Sequence, residues 1–290
     1  MKKTLLTICL VWMCFSLSAQ KIIDLSGKWS FSIDRQDNGE KEKWFSHTLN
    51  DFINLPGSMP EKLKGDEVTA KTQWTGSLYD SSYYYNPYME KYRKEGNIKF
   101  PFFLTPDKHY VGAAWYQKEV NIPADWKGER ILLFLERPHI ETTVWVNGQK
   151  TGMQNSLCVP HQYDITHYVR PGKCTITIRV DNRIKEINVG PDSHSITDQT
   201  QGNWNGIVGR ICLQTTPKTY FDDIQIYPEP EQKLARVKVV IKGTGTAKVK
   251  LSAESFNTDK KHIVPAIQQE IKLNKGVTET EMVLPMGNDM

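Results

Sequence analysis

The chain has 290 residues, which allows one large domain or two domains of ordinary size. Its 8 Trp, 10 Phe and 12 Tyr residues provide ample apolar material for a core. The formal net charge of +4 is spread along the chain without a basic block. This distribution argues against nucleic acid as a partner, because nucleic-acid-binding proteins concentrate Lys and Arg on one face.

The first 19 residues have the layout of a secretory signal peptide. Lys2 and Lys3 give a positive start, an apolar stretch follows, and small residues precede Ala19. We expect cleavage after Ala19 and export to the periplasm or the extracellular space. The apolar stretch is too short to make a membrane-spanning helix the better interpretation, so we expect no membrane span.

Three cysteines, Cys158, Cys174 and Cys212, remain after this cleavage. An odd number leaves at least one thiol unpaired, and none has the close Cys/His spacing of a structural zinc site. We interpret all three as small buried apolar residues, while a disulfide between Cys158 and Cys174 stays open as an alternative. Neither a metal nor another cofactor is expected.

From residue 22 onward, short runs of alternating apolar and polar residues recur between Gly, Pro, Asn and Asp. Such runs predict strands, and the scarcity of longer helical patterns predicts an all-β fold, a jelly-roll β-sandwich over residues 20–217. The predicted strands include residues 28–33, 115–122, 130–135, 142–146, 175–180 and 211–214.

Residues 144–152 predict a tight hairpin, because Asn147 and Gly148 stand between alternating apolar residues. A type I′ turn needs positive φ at both central residues, and Asn followed by Gly adopts these angles at low cost. Trp145, in the first strand of the hairpin, is expected to be a packing residue.

A long connection with few strand signals, at about residues 56–112, interrupts the sandwich. Loops of this length in compact domains are usually functional or mobile. The aromatic residues here either stack on a ligand or pack against the sandwich or a neighbouring domain, and packing is the favoured interpretation. They are Trp74, Tyr79, Tyr83, Tyr84, Tyr85, Tyr88 and Tyr92.

The pattern changes at Pro217. Further strands are predicted at residues 220–227, 235–241, 247–253 and 278–284, with a more charged outward face. We interpret residues 218–290 as an immunoglobulin-like β-sandwich. Four strand signals are fewer than such a sandwich normally needs, so we expect this second domain to be incomplete.

Five motifs, taken together and in order, resemble one known family. They are residues 114–123 (AWYQKEVNIP), 134–137 (FLER), 145–148 (WVNG), 163–166 (YDIT) and 203–210 (NWNGIVGR). They resemble the N-terminal sugar-binding domain of glycoside hydrolase family 2, the family of β-galactosidases, β-glucuronidases and β-mannosidases. The resemblance implies a galactose-binding-like jelly roll followed by an immunoglobulin-like domain.

The resemblance also implies that the chemistry lies elsewhere. Glycosidic hydrolysis needs two carboxyl groups across the scissile bond, and in the family both are glutamates of a (β/α)₈ barrel, the acid/base glutamate directly after an Asn. No Asn-Glu dipeptide occurs in this sequence, so no catalytic residue is assigned. The expected function is that of the non-catalytic N-terminal portion of an exported retaining glycosidase. Its expected partners are the missing barrel of the same polypeptide and a glycan with a terminal β-linked sugar.

Candidate sugar contacts lie in the polar, Gly-rich segment of residues 192–210, because the matching loop of the family reaches toward the active site. Carboxylates and amides suit vicinal hydroxyls, and an indole packs on a sugar face. The alternative is that Trp204 and Arg210 only anchor the loop, with Gly206 and Gly209 permitting a tight backbone path. The candidates are Asp198, Gln201, Asn203, Trp204 and Asn205.

Two other classes of function stay open. The chain is alternatively a free-standing carbohydrate-binding protein, or a purely structural module without hydrolase activity, since β-sandwiches serve many functions. The sequence specifies neither the sugar nor the oligomeric state. It contains no nucleophile elbow, no phosphate-binding loop and no metalloprotease helix motif.

Overall fold

The computed structural model of the protein describes residues 21–75, 80–99, 104–157, 159–185, 198, 202–254 and 263–287. The predicted signal peptide, Tyr79, Cys158 and Gln201 lie outside these residues, and so do the predictions made for them. The described helices are α1 (Ser82–Tyr85) and 3₁₀ segments at Trp44–Ser46, Pro87–Arg93, Ala124–Trp126 and Pro230–Gln232. None of these helices is long and apolar enough to cross a membrane.

Strands dominate the described residues. In chain order they are β1 (Ile22–Asp24), β2 (Gly27–Asp34), β3 (Asp51–Leu55), β4 (Gly57–Ser58), β5 (Asp66–Glu67), β6 (Lys108–His109), β7 (Ala113–Ile122), β8 (Arg130–His139), β9 (Glu141–Val146), β10 (Gln149–Asn155), β11 (His161–Asp164), β12 (Gly172–Asp181), β13 (Gly206–Thr216), β14 (Tyr220–Glu229), β15 (Leu234–Glu254) and β16 (Ile263–Pro285).

Two antiparallel sheets pack face to face as the predicted jelly-roll sandwich. One has the order β1-β13-β8-β11 with β4 beside β13, and the other has the order β10-β9-β12-β7-β2-β3. Their inward side chains form a single apolar core that includes Trp29, Phe31, Leu133 and Ile176. Each strand predicted between residues 28 and 214 lies within an observed strand, which confirms the all-β fold class.

A smaller apolar cluster covers the outer face of the six-stranded sheet. The ring of Trp145 in β9 stacks on Trp115 of β7 and on Phe45, with centroids 4.9 and 5.2 Å apart. All residues of β9 are buried, and this cluster helps to cover its outer face. In a strand with one solvated face, buried and exposed residues would alternate. Trp145 is therefore a packing residue, as the sequence predicts.

β9 and β10 form the predicted hairpin. Asn147 and Gly148 have φ angles of 50° and 77°, the positive values that a type I′ turn requires. The Asn147 side chain also accepts a 3.0 Å hydrogen bond from the Thr175 N–H and donates a 3.1 Å bond to the Tyr168 carbonyl. The turn is therefore fixed to β12 and to the connection that precedes it.

The insertion predicted at residues 56–112 packs only part of its aromatic side chains. Tyr83 is buried, and its hydroxyl donates to the Tyr92 carbonyl. The indole N–H of Trp74 donates to the Tyr84 hydroxyl at 3.1 Å. Tyr85 and Tyr88 are exposed. Packing thus holds the insertion together around Tyr83, while other rings face solvent.

The C-terminal part forms a three-stranded antiparallel sheet in the order β14-β15-β16. The prediction of separate strands at residues 235–241 and 247–253 is wrong, because these are two halves of β15. Gly243 and Gly245, at φ 152° and 90°, shift the register against β16 without ending the strand. The change of sheet falls between Thr216 and Tyr220.

Cys174 and Cys212 are free and buried, which confirms the expected role for these two. Cys174 faces the sandwich core and is 1% exposed. Burial raises the pKa of the Cys174 thiol to about 11, so this group stays protonated at neutral pH. The two thiols therefore act as apolar packing groups.

Candidate functional site

Asp198 joins distant parts of the chain at one end of the sandwich. Its buried carboxylate accepts hydrogen bonds from the backbone N–H groups of Asn203 at 2.7 Å and Thr75 at 2.5 Å. The Nε2 atom of His109 lies 3.7 Å from the same carboxylate. Burial alone would raise the pKa of Asp198, but His109 and the two N–H donors outweigh it and lower this pKa. The ionised carboxylate therefore holds the loop in place.

Asn203 also faces inward. Its side-chain nitrogen donates to the Asn182 carbonyl at 3.0 Å, and its Oδ1 accepts from the Asn182 side chain at 3.3 Å. Asn182 in turn accepts from the Gly112 N–H and donates to the Tyr110 carbonyl, both at 2.8 Å. The paired amides link the end of β12 and the start of β7 to the loop.

Asn205 lies in the same buried network, directly before β13. Its Oδ1 accepts a 2.8 Å hydrogen bond from the Tyr116 hydroxyl. Its Nδ2 donates to the carbonyls of Gly112 and Val180 at 2.9 and 3.0 Å. Because buried polar groups need partners, an amide with both ends bonded to the protein is well suited to this position.

Trp204 is placed differently from its two neighbours. Its ring stacks on His139, with centroids 4.5 Å apart and an angle of 22° between the planes. The Nδ1 atom of His139 donates to the Trp204 carbonyl at 2.9 Å. Trp204 is partly exposed, whereas Asp198, Asn203 and Asn205 are buried. A direct contact with sugar stays a prediction for all four, as it does for Gln201.

A cleft of about 740 Å³ opens beside this network, a volume typical of small-ligand sites. It lies where β6, the start of β7 and the end of β12 meet. Its lining includes Arg35, Gln73, Trp74, Thr75, His109 and Arg183. Within the described ranges, no group of three His, Cys, Asp or Glu side chains is arranged to hold a metal ion.

Thr75 contributes a buried hydroxyl to the lining of this cleft. The residue is 6% exposed, and its Oγ1 has no hydrogen-bond partner in the described part of the chain. A buried hydroxyl without a partner costs about 1–3 kcal/mol. The Thr75 N–H is bonded to Asp198, which holds the backbone at this position.

A buried ionic network holds Arg183 at the edge of the cleft. Asp181 accepts hydrogen bonds from Arg179 at 3.0 Å and Arg183 at 2.6 Å, and Lys185 lies 2.9 Å away. Burial would raise the pKa of Asp181, but the bonds from Arg183 and Lys185 outweigh it and hold this pKa well below its ordinary value. The network thereby fixes the backbone where the chain leaves β12.

The sequence of the sandwich matches a known family. The family model described as "Glycosyl hydrolases family 2, sugar binding domain" covers residues 22–217. This chain belongs to glycoside hydrolase family 2. The match spans the jelly roll and includes both the cleft and the loop of Asp198 to Asn205, so the site described above lies within the family's sugar-binding domain.

Several relatives in family 2 are β-glucuronidases. The Homo sapiens β-glucuronidase is 24% identical over 266 residues, which cover 82% of this chain and 35% of that protein. The β-glucuronidase of Paenibacillus borealis is 24% identical over 222 residues, which cover 71% of this chain and 31% of that protein. The chain thus spans about a third of the length of these relatives.

Solved structures of family 2 proteins show the same fold. A β-glucuronidase from an uncultured Clostridium sp. matches with a TM-score of 0.56 at 19% identity, over 93% of this chain and 40% of that chain. The Ruminococcus gnavus β-glucuronidase in complex with uronic deoxynojirimycin also gives a TM-score of 0.56, at 17% identity over 93% and 40% of the two chains. At these identities the likeness establishes the fold.

The candidate site contains residues that were not predicted from the sequence. Thr75 lies 123 residues before its partner Asp198, so no local spacing joins the two. Asn182 and Arg183 carry a usable signal, because polar residues directly after a predicted strand mark the loop end of a sandwich.

Proposed function

We propose that this chain is the N-terminal, non-catalytic part of an exported family 2 glycosidase that removes terminal β-linked sugars. The observation that carries the proposal is the cleft beside Asp198, which lies within the family's sugar-binding domain. In this proposal the cleft forms part of the wall against which the sugar is held. The catalytic carboxyl pair comes from a barrel in the same polypeptide.

The chemistry of the cleft supports a hydroxyl-rich ligand. The Gln73 amide and the Thr75 hydroxyl each donate and accept hydrogen bonds, and the Trp74 ring offers an apolar face. A sugar presents the complementary surface, because hydroxyls surround a ring whose C–H groups form apolar patches. The Oγ1 of Thr75 is buried and has no partner within the described residues, so it would bond such a ligand only if binding shifts this side chain toward the cleft.

The carboxylates at the cleft do not resemble a hydrolytic pair. Asp66 lies 2.6 Å from the Arg35 guanidinium, and Glu67 pairs with Lys108. The pKa of Asp198 is lowered, although a general acid needs a raised pKa to carry its proton at neutral pH. The arrangement therefore suits binding, and hydrolysis falls to the carboxyl pair of the proposed barrel.

The names of the relatives direct the choice of substrate. Because the relatives are β-glucuronidases, we propose a β-glucuronide as the first substrate to test, with β-galactosides and β-mannosides as alternatives. The complete product of the encoding gene is assayed against chromogenic glycosides of all three sugars. Hydrolysis of one of them supports the proposal. A complete gene product that hydrolyses none of them contradicts the glycosidase assignment.

The role of the cleft is tested in the same complete protein. Thr75→Val removes the unpartnered hydroxyl and keeps the shape of the side chain, and Trp74→Ala removes the ring. We expect each to raise KM about fivefold or more, with a smaller change in kcat, because a wall contact contributes to holding the sugar. Tyr88→Ala, on an exposed ring of the same insertion, is the matched control. An unchanged KM in both cleft variants would show that the cleft does not contact the substrate.

Export is tested separately by fractionation of cells that express the native gene. A mature N-terminus at Gln20, found in the periplasm or the medium, is the expected result. A cytoplasmic protein that retains residues 1–19 would contradict the export part of the proposal and leave the glycosidase part untouched.

A free-standing carbohydrate-binding protein is the second candidate function. The observation that favours it is the lining of the cleft, in which this chain itself supplies amide and aromatic groups suited to a sugar. This candidate expects residues 20–290, purified by themselves, to bind a monosaccharide with the same affinity as the complete gene product. Glycosidase activity in the complete product, with much weaker binding by residues 20–290, would decide for the first proposal.

A further inference from the structure

A second groove lies at the end of the sandwich opposite to the cleft. Its volume is about 880 Å³. It is bounded by the end of β7, the connection from β7 to β8, the connection from β11 to β12, and the start of β14. Ile122 ends β7 at the groove, whereas Ala113 begins this strand beside the cleft. A strand of this length spans roughly 30 Å, so the two sites are well separated.

Positive charge predominates at this groove. Its lining contains four cationic side chains, Lys127, Arg130, Arg170 and Lys218, and two carboxylates, Glu129 and Asp164. Asp164 is already bonded to Arg130 at 2.8 Å. Lys127, Arg170 and Lys218 are exposed, and none of them forms an ion pair within the described part of the chain. Three cations therefore face an open groove with one unpaired carboxylate.

The groove has a fixed framework beneath these exposed lysine and arginine side chains. The Arg130 guanidinium donates to Asp164 and to the Thr216 hydroxyl, at 2.8 and 3.1 Å. It also lies over the ring of Tyr220, 3.9 Å from the ring centre. Arg130 thereby ties the first strand of the C-terminal sheet to the jelly roll. The wall also includes Trp126, which is 4% exposed.

We propose that this groove is a second carbohydrate-binding site, which takes an anionic segment of a glycan bearing carboxylate or sulfate groups. Such a ligand combines negative charges for Lys127, Arg170 and Lys218 with ring faces that pack on apolar walls. Complementary charge steers the ligand to the groove and selects against neutral chains. An acidic peptide also carries carboxylates that suit cationic side chains, and it is tested below as the competing occupant.

The test measures binding of defined oligosaccharides to residues 20–290 by calorimetry and by amide NMR shifts. The probes are an oligogalacturonate, a heparin-derived oligosaccharide of similar length, a neutral cello-oligosaccharide and inorganic sulfate. We expect at least one anionic oligosaccharide to bind tenfold or more tighter than the neutral one and than sulfate. Binding should weaken as NaCl rises, because salt screens exposed charges.

The double variant Lys127→Glu/Arg170→Glu should lose at least tenfold in this affinity. Lys248→Glu/Lys275→Glu changes the net charge equally at exposed positions on the C-terminal sheet and serves as the matched control. Circular dichroism melting establishes that both variants are folded. If both double variants lost affinity for the anionic oligosaccharide equally, net charge alone would account for the binding, and the proposal would be overturned.

Two further results would also overturn it. One is neutral oligosaccharide binding as tight as anionic binding. The other is poly-glutamate binding as tight as either anionic glycan, which would assign the groove to acidic peptides. The outcome is independent of the proposed function of the cleft, because Thr75→Val and Trp74→Ala should leave groove binding unchanged.

Discussion

The hydroxyl of Tyr116 donates a 2.8 Å hydrogen bond to the side chain of Asn205 in the interior of the sandwich. Both residues are fully buried. Tyr116 belongs to β7 of the six-stranded sheet, and Asn205 directly precedes β13 of the other sheet. Burial raises the pKa of Tyr116 well above its ordinary value, so its hydroxyl remains a donor throughout the physiological range. This bond fixes the candidate loop to the sheet behind it.

Tyr116→Phe removes the hydroxyl and leaves the Asn205 Oδ1 buried without this donor. We expect the free energy of unfolding to fall by about 1–3 kcal/mol, because the remaining acceptor has lost water without gaining a partner. Urea denaturation measures the change. Tyr227→Phe removes a hydroxyl that is bonded to Gln225 on an exposed strand, and its effect should stay within about 0.5 kcal/mol. Equal losses in both variants would contradict the argument.

Asp198→Asn tests whether the loop depends on an ionised carboxylate. The Asn203 N–H bonds Oδ1 and the Thr75 N–H bonds Oδ2, so in the amide one of these two donors faces an N–H₂ group instead of an oxygen. We expect a loss of about 2 kcal/mol in the free energy of unfolding. Faster hydrogen exchange should appear at these two amides.

Asp125→Asn is the control for the loss of one negative charge. Asp125 pairs with Lys21 at an exposed position, and its replacement should leave the exchange of the loop amides unchanged. If Asp198→Asn left this exchange unchanged as well, the carboxylate would not be what holds the loop.

The strands of the jelly roll could be predicted from sequence, because their information is local. In β7 and β12 the side chains alternate or run as short apolar stretches, and Asn147-Gly148 determines its turn by its own φ preferences. The same local logic failed at Gly243 and Gly245. Glycine permits either a turn or a shifted register, and only the pairing with β16 decides between them.

The candidate loop was located from sequence, but the orientation of its side chains was not. Asp198 and Asn205 have the polar groups that a sugar contact needs, and the same groups also satisfy buried backbone donors and acceptors. Which role applies depends on partners such as Thr75 and Val180 that are remote in sequence. The cleft could not be predicted from local sequence for the same reason, because Thr75, His109 and Arg183 come from separate segments of the chain.

Gly206→Ala should be among the most disruptive single changes near the loop. Gly206 has φ +145°, and a Cβ there would lie 2.5 Å from the Gly57 carbonyl oxygen and 2.8 Å from the Ser58 Cα. Because both obstacles are backbone atoms of the paired β4, neither can rotate away. We expect a loss of more than about 3 kcal/mol from strain and displacement together.

Gly128→Ala separates the two causes in the same thermal or urea unfolding measurement. Gly128 has φ +84°, but a Cβ there meets no atom within 4 Å, so only conformational strain of about 1–2 kcal/mol is expected. A Gly206→Ala variant no less stable than Gly128→Ala would show that β4 does not restrict this position.

His161 gives the protein a pH dependence with a definite sign. Its Nε2 donates to the Ser156 carbonyl at 3.3 Å, so in the neutral ring Nδ1 accepts from the Thr142 hydroxyl at 2.6 Å. The side chain is fully buried, and burial lowers the pKa of His161 from 6.5 to about 4. His161 therefore binds a proton at a lower pH in the folded state than in the unfolded chain.

Stability from His161 is complete above pH 6.5 and is lost as the pH falls toward 4, because the unfolded state binds the proton first in this window. The full loss is about 3 kcal/mol. Urea unfolding between pH 7 and 4.5 should show most of it, before the carboxylates with lowered pKa values, such as Asp181, begin to contribute. His161→Gln should flatten this slope, and His167→Gln, at an exposed position, should preserve it. A slope that survives in His161→Gln would place the responsible proton on another group.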